Sequence, residues 1–225
     1  IIAWSAKDGF REVLATGDYE FPKGEEYWTP TPPEFSRPVD PYWSRVRPFA
    51  LSKADQILPP APFPFSKDPN SEFYKAMKEV WEVGKNLTEE QDLTAKFWDC
   101  NPIHSFHFGH MAFKTRQISP AGHWMNIAKI VAMKQGRGMM ETLEAYALTS
   151  VAISDGFLSC WTEKFKHNMI RPVTYINRYM DSSWNPVLQT PPFPDHSSGH
   201  ATISGAAAVV LTKVFGAVPF DDDTE

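Results

Sequence analysis

The sequence predicts an all-α protein in which a helical bundle carries an extended N-terminal arm rich in proline and aromatic residues. Three observations support this prediction. Apolar residues recur at helical spacing after residue 71, no segment alternates strictly between apolar and polar residues as a half-buried strand does, and twelve of the twenty prolines precede residue 72. We therefore divide the 225 residues into an irregular arm packed on the body, residues 1–71, and a helical bundle, residues 72–225.

The arm combines its prolines with aromatic side chains that a disordered linker lacks. Trp28, Phe35, Tyr42, Trp43 and Phe49 are spread along it. Such residues supply apolar area that offsets the entropy lost when a chain becomes ordered. We therefore expect the arm to pack over the bundle. The alternative is a proline-rich segment that binds a partner protein.

Helical signals divide the body into five segments. Residues 72–85 place Phe73, Met77 and Trp81 at helical spacing. The sequence Thr-Glu-Glu-Gln from Thr88 is typical of a capping box, and it predicts a helix that runs through Trp98. The other predicted helices cover residues 121–135, 141–170 and 198–215. Helices of this length with one apolar face are expected to form a bundle.

The last predicted helix begins with a turn suited to binding an anion. Ser198, Gly199 and His200 lead into an Ala-rich apolar helix. The first backbone N–H groups of a helix have no partner within it and lie at the positive end of its dipole, so they attract oxyanions. Ser198 adds a hydroxyl, Gly199 permits close approach to the backbone, and His200 can transfer a proton near neutral pH. The alternative is an ordinary helix cap.

Two cations upstream indicate the same chemistry. Lys164 and Arg171 lie seven residues apart near the end of the predicted 141–170 helix, and Pro172 favours ending that helix near Arg171. Seven residues are close to two helical turns, so we expect both side chains on one face, about 10 Å apart along the axis. A lysine and an arginine placed in this way can bind one oxyanion together. The alternative is a solvated basic helix end.

The two segments together resemble the superfamily of type 2 phosphatidic acid phosphatases and vanadium haloperoxidases, which has three signature motifs. Lys164, Arg171 and Pro172 have the spacing of the first motif. The second motif, Pro-Ser-Gly-His, is similar to residues 197–200, where Ser197 stands in place of the usual proline. The third motif is Ser-Arg followed by His, and no Arg or His follows His200 in this sequence.

The missing motif is the one that supplies the nucleophile or the vanadium ligand in the superfamily. The resemblance therefore covers two of its three motifs. We expect the sequence to be an incomplete domain, because an Ala-rich helix followed by the acidic end of residues 221–225 is an unusual end for a bundle. The alternative is a homologue that lacks the activity.

The resemblance implies a site for vanadate or phosphate. Lys164, Arg171, Ser198, Gly199 and His200 would hold the oxygens of the anion, and His200 would also be the catalytic residue that transfers a proton. With vanadate as cofactor, the implied activity is that of a haloperoxidase, which oxidises halide with peroxide. With a phosphomonoester as substrate, it is that of a soluble acid phosphatase with a phosphohistidine intermediate. An inactive anion-binding or scaffold homologue is the third alternative.

Three further residues are candidates for tuning this site. Phe193 stands five residues before Ser198, and together with the long arm it is similar to bacterial haloperoxidases rather than compact acid phosphatases. His196 flanks the anion-binding turn. Asp155 lies within an apolar stretch, where a buried carboxylate requires a partner, and we expect this partner to be structural rather than Lys164.

Other histidines and cysteines offer weaker signals. His104, His107 and His110 recur every three residues, which on a helix could direct imidazoles to one side as metal ligands. Such steps drift around the helix and Gly109 weakens it, so we assign no metal site there. Cys100 and Cys160 are interpreted as buried thiols rather than a disulfide.

Composition narrows the range of partners. The net charge of -5 and the pI near 5.8 argue against general binding to nucleic acids, while a basic pocket remains consistent with a small anion. No apolar run approaches the ~18 residues of a membrane span. In this respect the sequence is similar to the soluble members of the superfamily. Because the chain begins at Ile1 rather than Met, we expect a removed leader and a periplasmic or secreted location. The oligomeric state stays open.

Overall fold

The computed structural model describes residues 2–101, 104–115 and 117–224, and it confirms a mainly helical protein. The arm is irregular over most of its length. Its regular elements are short: α1 is Ile2–Ser5, α2 is Phe10–Leu14, and one turn of 3-10 helix is Trp43–Arg45. Long stretches between them run without secondary structure, because their prolines fix the backbone and remove hydrogen-bond donors.

Among the described residues, six helices form the body. They are α3 (Glu72–Lys85), α4 (Glu89–Phe97), α5 (Pro120–Lys134), α6 (Met139–His167), α7 (Pro172–Tyr179) and α8 (Gly199–Phe215). The side chains of Ser71, Thr88, Ser119 and Ser198 each accept a backbone N–H at the start of a helix, and the predicted capping box at Thr88 is present. In the described ranges, no helix is long and apolar enough to cross a membrane.

The centre of the bundle is formed by α5, α6 and α8. Ile127 and Val131 of α5 pack with Ala145 of α6 and with Leu211 and Phe215 of α8. The small alanines of α8 allow the helices to approach closely, as the Ala-rich sequence of this helix indicates. This packing places the start of α8 beside the second half of α6, where Lys164 lies.

A second cluster lies between α3 and α7. Phe73 and Met77 of α3 pack against Ile170 and against Tyr175 of α7, and all four side chains are buried. Ile170 is fully buried and directly precedes Arg171. The cluster therefore fixes the backbone from which the Arg171 side chain extends.

The structure corrects the prediction of one helix over residues 141–170. Helix α6 ends at His167, and Asn168 follows in the left-handed conformation with φ of 48°. Met169 then pairs with Tyr27 of the arm in an isolated antiparallel bridge, and α7 begins at Pro172. Pro172 starts a helix here rather than ending one, because the first helical position needs no N–H donor. Lys164 and Arg171 therefore do not share one helix face.

A second correction concerns the three regularly spaced histidines. They lie on a β-hairpin formed by β1 (His104–Phe108) and β2 (Met111–Thr115), not on a helix. Gly109 has φ of 60° in the turn, and Phe106 stacks on its directly opposite partner Phe113 with ring centres 5.4 Å apart. Residues three apart point to opposite faces of a strand, so the spacing brings no imidazoles together. Across the described residues, no group of three or more His, Cys, Asp or Glu side chains is placed to hold a metal ion.

The arm is fastened to α6 by a buried carboxylate. Asp155 is 4% exposed and accepts the backbone N–H groups of Phe49, Ala50 and Leu51 at 2.7, 2.7 and 2.9 Å. Three donors satisfy a charge that burial would otherwise make costly. The partner of Asp155 is thus the arm backbone.

Candidate active site

Lys164 and Arg171 meet at the loop that leads into α8. Lys164 is 1% exposed, and its Nζ lies 4.8 Å from the centre of the Phe193 ring. The guanidinium carbon of Arg171 lies at the same distance from that ring. Lys164 belongs to α6 and Arg171 directly precedes α7, and Phe193 is the residue that brings the two cations together. We call Lys164, Arg171 and the loop of residues 191–195 the cation cradle.

Hydrogen bonds hold the cation cradle together. Lys164 Nζ donates to the carbonyl oxygens of Pro194 and Asp195 at 2.9 and 2.8 Å. Arg171 Nε donates to the carbonyl oxygen of Phe193 at 2.7 Å, and its Nη1 donates to the Asp195 carboxylate at 3.0 Å. Asp195 is therefore a counter-ion that belongs to the loop itself.

The electrostatics of the cation cradle follow from this burial. Burial and, to a smaller extent, the charge of Arg171 lower the pKa of Lys164 to about 8, while Cys160 and Asp195 act in the opposite direction. Burial also lowers the pKa of Arg171, although Asp195 counteracts the effect by its charge and hydrogen bond. Two desolvated cations beside one carboxylate leave a local excess of positive charge, which an oxyanion can neutralise.

The arm supports the loop from the other side. The Val39 N–H donates to the carbonyl oxygen of Pro192 at 3.1 Å, and Trp161 Nε1 donates to the carbonyl oxygen of Val39 at 3.0 Å. Trp161 also packs against the Phe193 ring, with ring centres 5.0 Å apart. Phe193 is thus held between the arm, α6 and the two cations.

The start of α8 retains donors for an anion. Ser198 Oγ accepts the Ala201 N–H at 3.1 Å, and its own hydroxyl proton remains able to donate. The backbone N–H groups of Gly199 and His200 have no acceptor in the part of the chain that the structure describes. These groups at a helix start form the arrangement that binds phosphate-like anions.

His200 is oriented by a backbone carbonyl. Its Nε2 lies 3.0 Å from the carbonyl oxygen of Trp98, at the end of α4. Because a carbonyl can only accept, the proton of a neutral imidazole is on Nε2, and Nδ1 is left as the acceptor. The His200 side chain is exposed, so Nδ1 is accessible to a ligand.

His196 occupies a different environment from His200. Its ring lies edge-on to His167, with ring centres 5.6 Å apart, and burial together with His167 lowers its pKa. His196 Nε2 is buried and has no hydrogen-bond partner among the described residues. His167 in turn lies 3.1 Å from the buried carboxylate of Glu163. His196 therefore lies next to the turn that begins α8 and forms a ring pair with His167.

Sequence reasoning missed the pairing of Asp195 with Arg171 and the carbonyl that orients His200. Asp195, like His196, flanks the anion-binding turn in the sequence, but its pairing with Arg171 depends on where α7 begins. The contact between Trp98 and His200 joins residues 102 positions apart and leaves no local signal. The sequence signal for the hairpin is the turn at Gly109 and His110, which separates two segments that contain phenylalanines.

Solved structures with the same fold identify the relatives of this chain. A bacterial vanadium-dependent iodoperoxidase is 43% identical, with a TM-score of 0.90 over 99% of this chain and 53% of that one. A model of the family described as the VCPO second helical-bundle domain matches residues 144–224, which contain the cation cradle and α8.

The chain belongs to the superfamily of vanadium haloperoxidases and type 2 phosphatidic acid phosphatases. Its fold is also that of a bacterial vanadium-dependent chloroperoxidase. The holo form is 15% identical with a TM-score of 0.67, covering 98% of this chain and 55% of that one. The apo form is 18% identical with a TM-score of 0.61, covering 88% and 46%. No curated protein sequence matches the chain.

The chain spans about half the length of these haloperoxidase structures. Within this superfamily, the two motifs found in the sequence correspond to the two parts of the site described above. The cation cradle carries Lys164 and Arg171, and the start of α8 carries Ser198, Gly199 and His200.

Proposed function

We propose that this chain carries the vanadate-binding residues of a vanadium-dependent haloperoxidase that oxidises halide with hydrogen peroxide. The observation that carries the proposal is the convergence of Lys164 and Arg171 on Phe193, directly before the Ser-Gly-His start of α8. Iodide is the proposed halide, because the 43% identical relative is an iodoperoxidase.

The donor set fits a tetrahedral oxyanion. It consists of the buried cation of Lys164, the cation of Arg171, whose side chain is 12% exposed, the hydroxyl of Ser198 and two backbone N–H groups without acceptors among the described residues. All of these groups donate hydrogen bonds, which suits the oxygens of vanadate or phosphate and does not suit a bare metal cation. Lys164 uses two of its three N–H groups on the loop, so one is left for an anion.

Each residue then has a defined task. Lys164, Arg171 and the Gly199 N–H hold oxygens of the anion and offset its negative charge. Ser198 donates its hydroxyl while capping α8. His200 receives or delivers the proton at Nδ1, because Nε2 is engaged by Trp98. Vanadate, when bound, supplies the Lewis-acid activation of peroxide for oxidation of the halide.

Phosphatase activity is the second candidate, because the same donors suit phosphate. Three measurements on the full-length protein separate the candidates: vanadate binding by equilibrium dialysis, triiodide formation from iodide and peroxide, and hydrolysis of p-nitrophenyl phosphate. Vanadate-dependent triiodide formation supports the proposal. Hydrolysis of the phosphate ester without triiodide formation would assign the chain to the phosphatases, and anion binding without either reaction to a scaffold role.

The Lys164→Ala variant tests the site itself. We expect it to weaken vanadate binding by about a hundredfold, since a charged donor is removed from a buried position. Lys213→Ala is the matched control, because Lys213 is an exposed lysine on α8. Equal vanadate affinity in the Lys164→Ala variant and the control would refute the assignment of this site.

A further inference from the structure

A buried thiol joins helix α6 to the residue that precedes the cap of α8. Cys160 is 1% exposed, and its Sγ donates to the carbonyl oxygen of Ser197 at 3.5 Å. The Ser197 hydroxyl donates back to the Cys160 Sγ at 3.4 Å. A thiol can act as donor and acceptor at once, so the two residues exchange one hydrogen bond in each direction. We call Cys160 and Ser197 the thiol clamp.

The thiol clamp continues the contacts that the cation cradle makes with its loop. Cys160 and Lys164 lie four residues apart on α6, so their side chains are on the same face of the helix. Lys164 donates to the carbonyl oxygens of Pro194 and Asp195, and Cys160 donates to that of Ser197. One face of α6 therefore holds the chain as far as the residue before the helix cap.

Position 197 has little else to hold it. In the part of the chain that the structure describes, Ser197 makes hydrogen bonds with Cys160 alone, and its backbone N–H makes none. The superfamily motif has proline here, and the ring of a proline restricts the backbone without help from a neighbour. Serine has no such ring. The restriction at this position comes from the thiol of another helix.

We propose that Cys160 is a positioning residue of the anion site, which acts through Ser197 to fix the start of α8 relative to the cation cradle. This inference rests on the proposed function for the identity of the anion. Two groups of donors bind one oxyanion together only when the distance between them is fixed, and a site that is about 1 Å too loose loses its function. The thiol clamp lies where the two groups of donors join.

The first test is a double-mutant cycle on vanadate affinity, measured by equilibrium dialysis on the full-length protein. Cys160→Ala and Ser197→Ala each break contacts of the same pair, so each is expected to lower the affinity about fivefold. The double variant should also lose about fivefold rather than about twenty-five-fold, because the pair is already broken in each single variant. Additive losses would overturn the proposal.

Two rescue variants separate positioning from packing. Cys160→Ser keeps a group that donates and accepts, so its vanadate affinity is expected to stay within about twofold of that of the unaltered protein. Ser197→Pro, added to Cys160→Ala, should restore the affinity, because proline restricts the backbone by itself. If neither variant recovers the affinity, the thiol clamp does not position the site.

Two controls measure stability and contact loss elsewhere. Val131 is buried and belongs to the cluster that contains Phe215, at the far end of α8, so Val131→Ala should lower the free energy of unfolding alone. Ser159 donates to the carbonyl oxygen of Ile57 in the arm at 2.7 Å, and Ser159→Ala removes this contact of α6 with a different segment. Both controls are expected to keep their vanadate affinity. An equal loss in Val131→Ala and Cys160→Ala would show that Cys160 acts only through stability.

The reactivity of the thiols gives a measurement that needs neither vanadate nor turnover. If a closed thiol clamp favours anion binding, a bound anion must favour the closed clamp to the same extent, so sulfate is expected to slow alkylation of Cys160 by iodoacetamide about fivefold. Cys100, a second buried thiol that contacts His123, is the internal reference and should change little. Mass spectrometry of the two peptides measures both rates. Equal slowing at both thiols would overturn the coupling.

Triiodide formation is measured in parallel, so that the two proposals can fail separately. Additive losses together with vanadate-dependent triiodide formation would overturn the thiol clamp and leave the proposed function standing. Non-additive losses and protection of Cys160 by sulfate, without triiodide formation, would keep the thiol clamp and overturn the haloperoxidase activity. Absence of anion binding by the unaltered protein would overturn both.

Discussion

The cation cradle and the start of α8, the two parts of the proposed anion site, are built in different ways. Lys164 is 1% exposed and bonded to loop carbonyls, whereas the side chains of Ser198 and His200 are exposed. The charged half of the site is part of the folded core, and the other half depends on one helix cap and one carbonyl. Changes in the first half should therefore alter folding and anion binding together, while changes in the second half should alter mainly binding.

The largest expected effect comes from breaking the cation cradle at Arg171. Arg171→Ala removes a cation and leaves the Asp195 carboxylate without its partner. We expect vanadate affinity to fall about a hundredfold and the free energy of unfolding to fall by about 2 kcal/mol. Equilibrium dialysis and urea denaturation measure the two quantities. Arg178→Ala, at an exposed position of α7, is the control. An unchanged free energy of unfolding in Arg171→Ala would contradict the conclusion that the cation cradle is part of the folded core.

The pH dependence of anion binding should come from the cation cradle rather than from α8. Sulfate is the suitable probe, since it does not titrate near neutral pH. Because the pKa of Lys164 is about 8, this residue loses its charge as the pH rises, and sulfate affinity is expected to fall about tenfold between pH 7 and 9. In Lys164→Arg the charge persists, so the step at pH 8 should disappear. If the fall in sulfate affinity near pH 8 remains in this variant, a group other than Lys164 causes it.

The titration of Lys164 should also change the free energy of unfolding, which is expected to rise with pH, whereas sulfate affinity falls. The ordinary pKa of lysine, 10.5, lies above the folded value, so the unfolded chain binds the proton more tightly than the folded chain. The contribution of Lys164 to the free energy of unfolding therefore increases as the pH rises from about 8 to 10.5. Comparing urea denaturation of the unaltered chain and Lys164→Met across this range isolates the contribution.

A smaller effect is expected at the cap of α8. Ser198→Ala removes the acceptor for the Ala201 N–H and a hydroxyl donor for the anion, so we expect a loss of about 1 kcal/mol in stability and about fivefold in vanadate affinity. Ser119→Ala is a matched control, because Ser119 caps α5 in the same way. The control should lose a similar stability and keep its affinity; equal losses of affinity in both would show that α8 acts only through folding.

The smallest expected effect is a gain. Asp195→Asn keeps an oxygen that accepts from Arg171 but removes the negative charge beside the two cations. We expect vanadate affinity to rise about threefold, measured by dialysis. A decrease would mean that Asp195 is needed to position Arg171 rather than to balance its charge.

Local signals in the sequence were sufficient for most of the bundle. Helix α3 has its predicted bounds, the capping box at Thr88 is present, and Ser198 caps α8, because each depends on neighbours within a few residues. The approach of Lys164 to Arg171 was predicted for the wrong reason. Their convergence depends on Asn168 ending α6, on the bridge to the arm and on the Phe193 loop, which are contacts between distant segments.

Local signals in the sequence could not identify the hairpin or the partner of Asp155. A spacing of three suits a helix face, and only the pairing of Phe106 with Phe113 across the turn reveals strands at residues 104–115. Asp155 was correctly expected to require a partner, but nothing near it in the sequence points to backbone groups 104 to 106 residues away.

Asp155 also determines where this chain can be divided for expression. The composition changes near residue 71, which makes a fragment beginning at residue 72 the obvious choice for dissection. Such a fragment would keep the carboxylate on α6 and discard all three of its donors, and it would lose Val39, which supports the loop of the cation cradle. A fragment that keeps both the donors of Asp155 and the support of the cation cradle loop therefore begins within the arm, ahead of Val39.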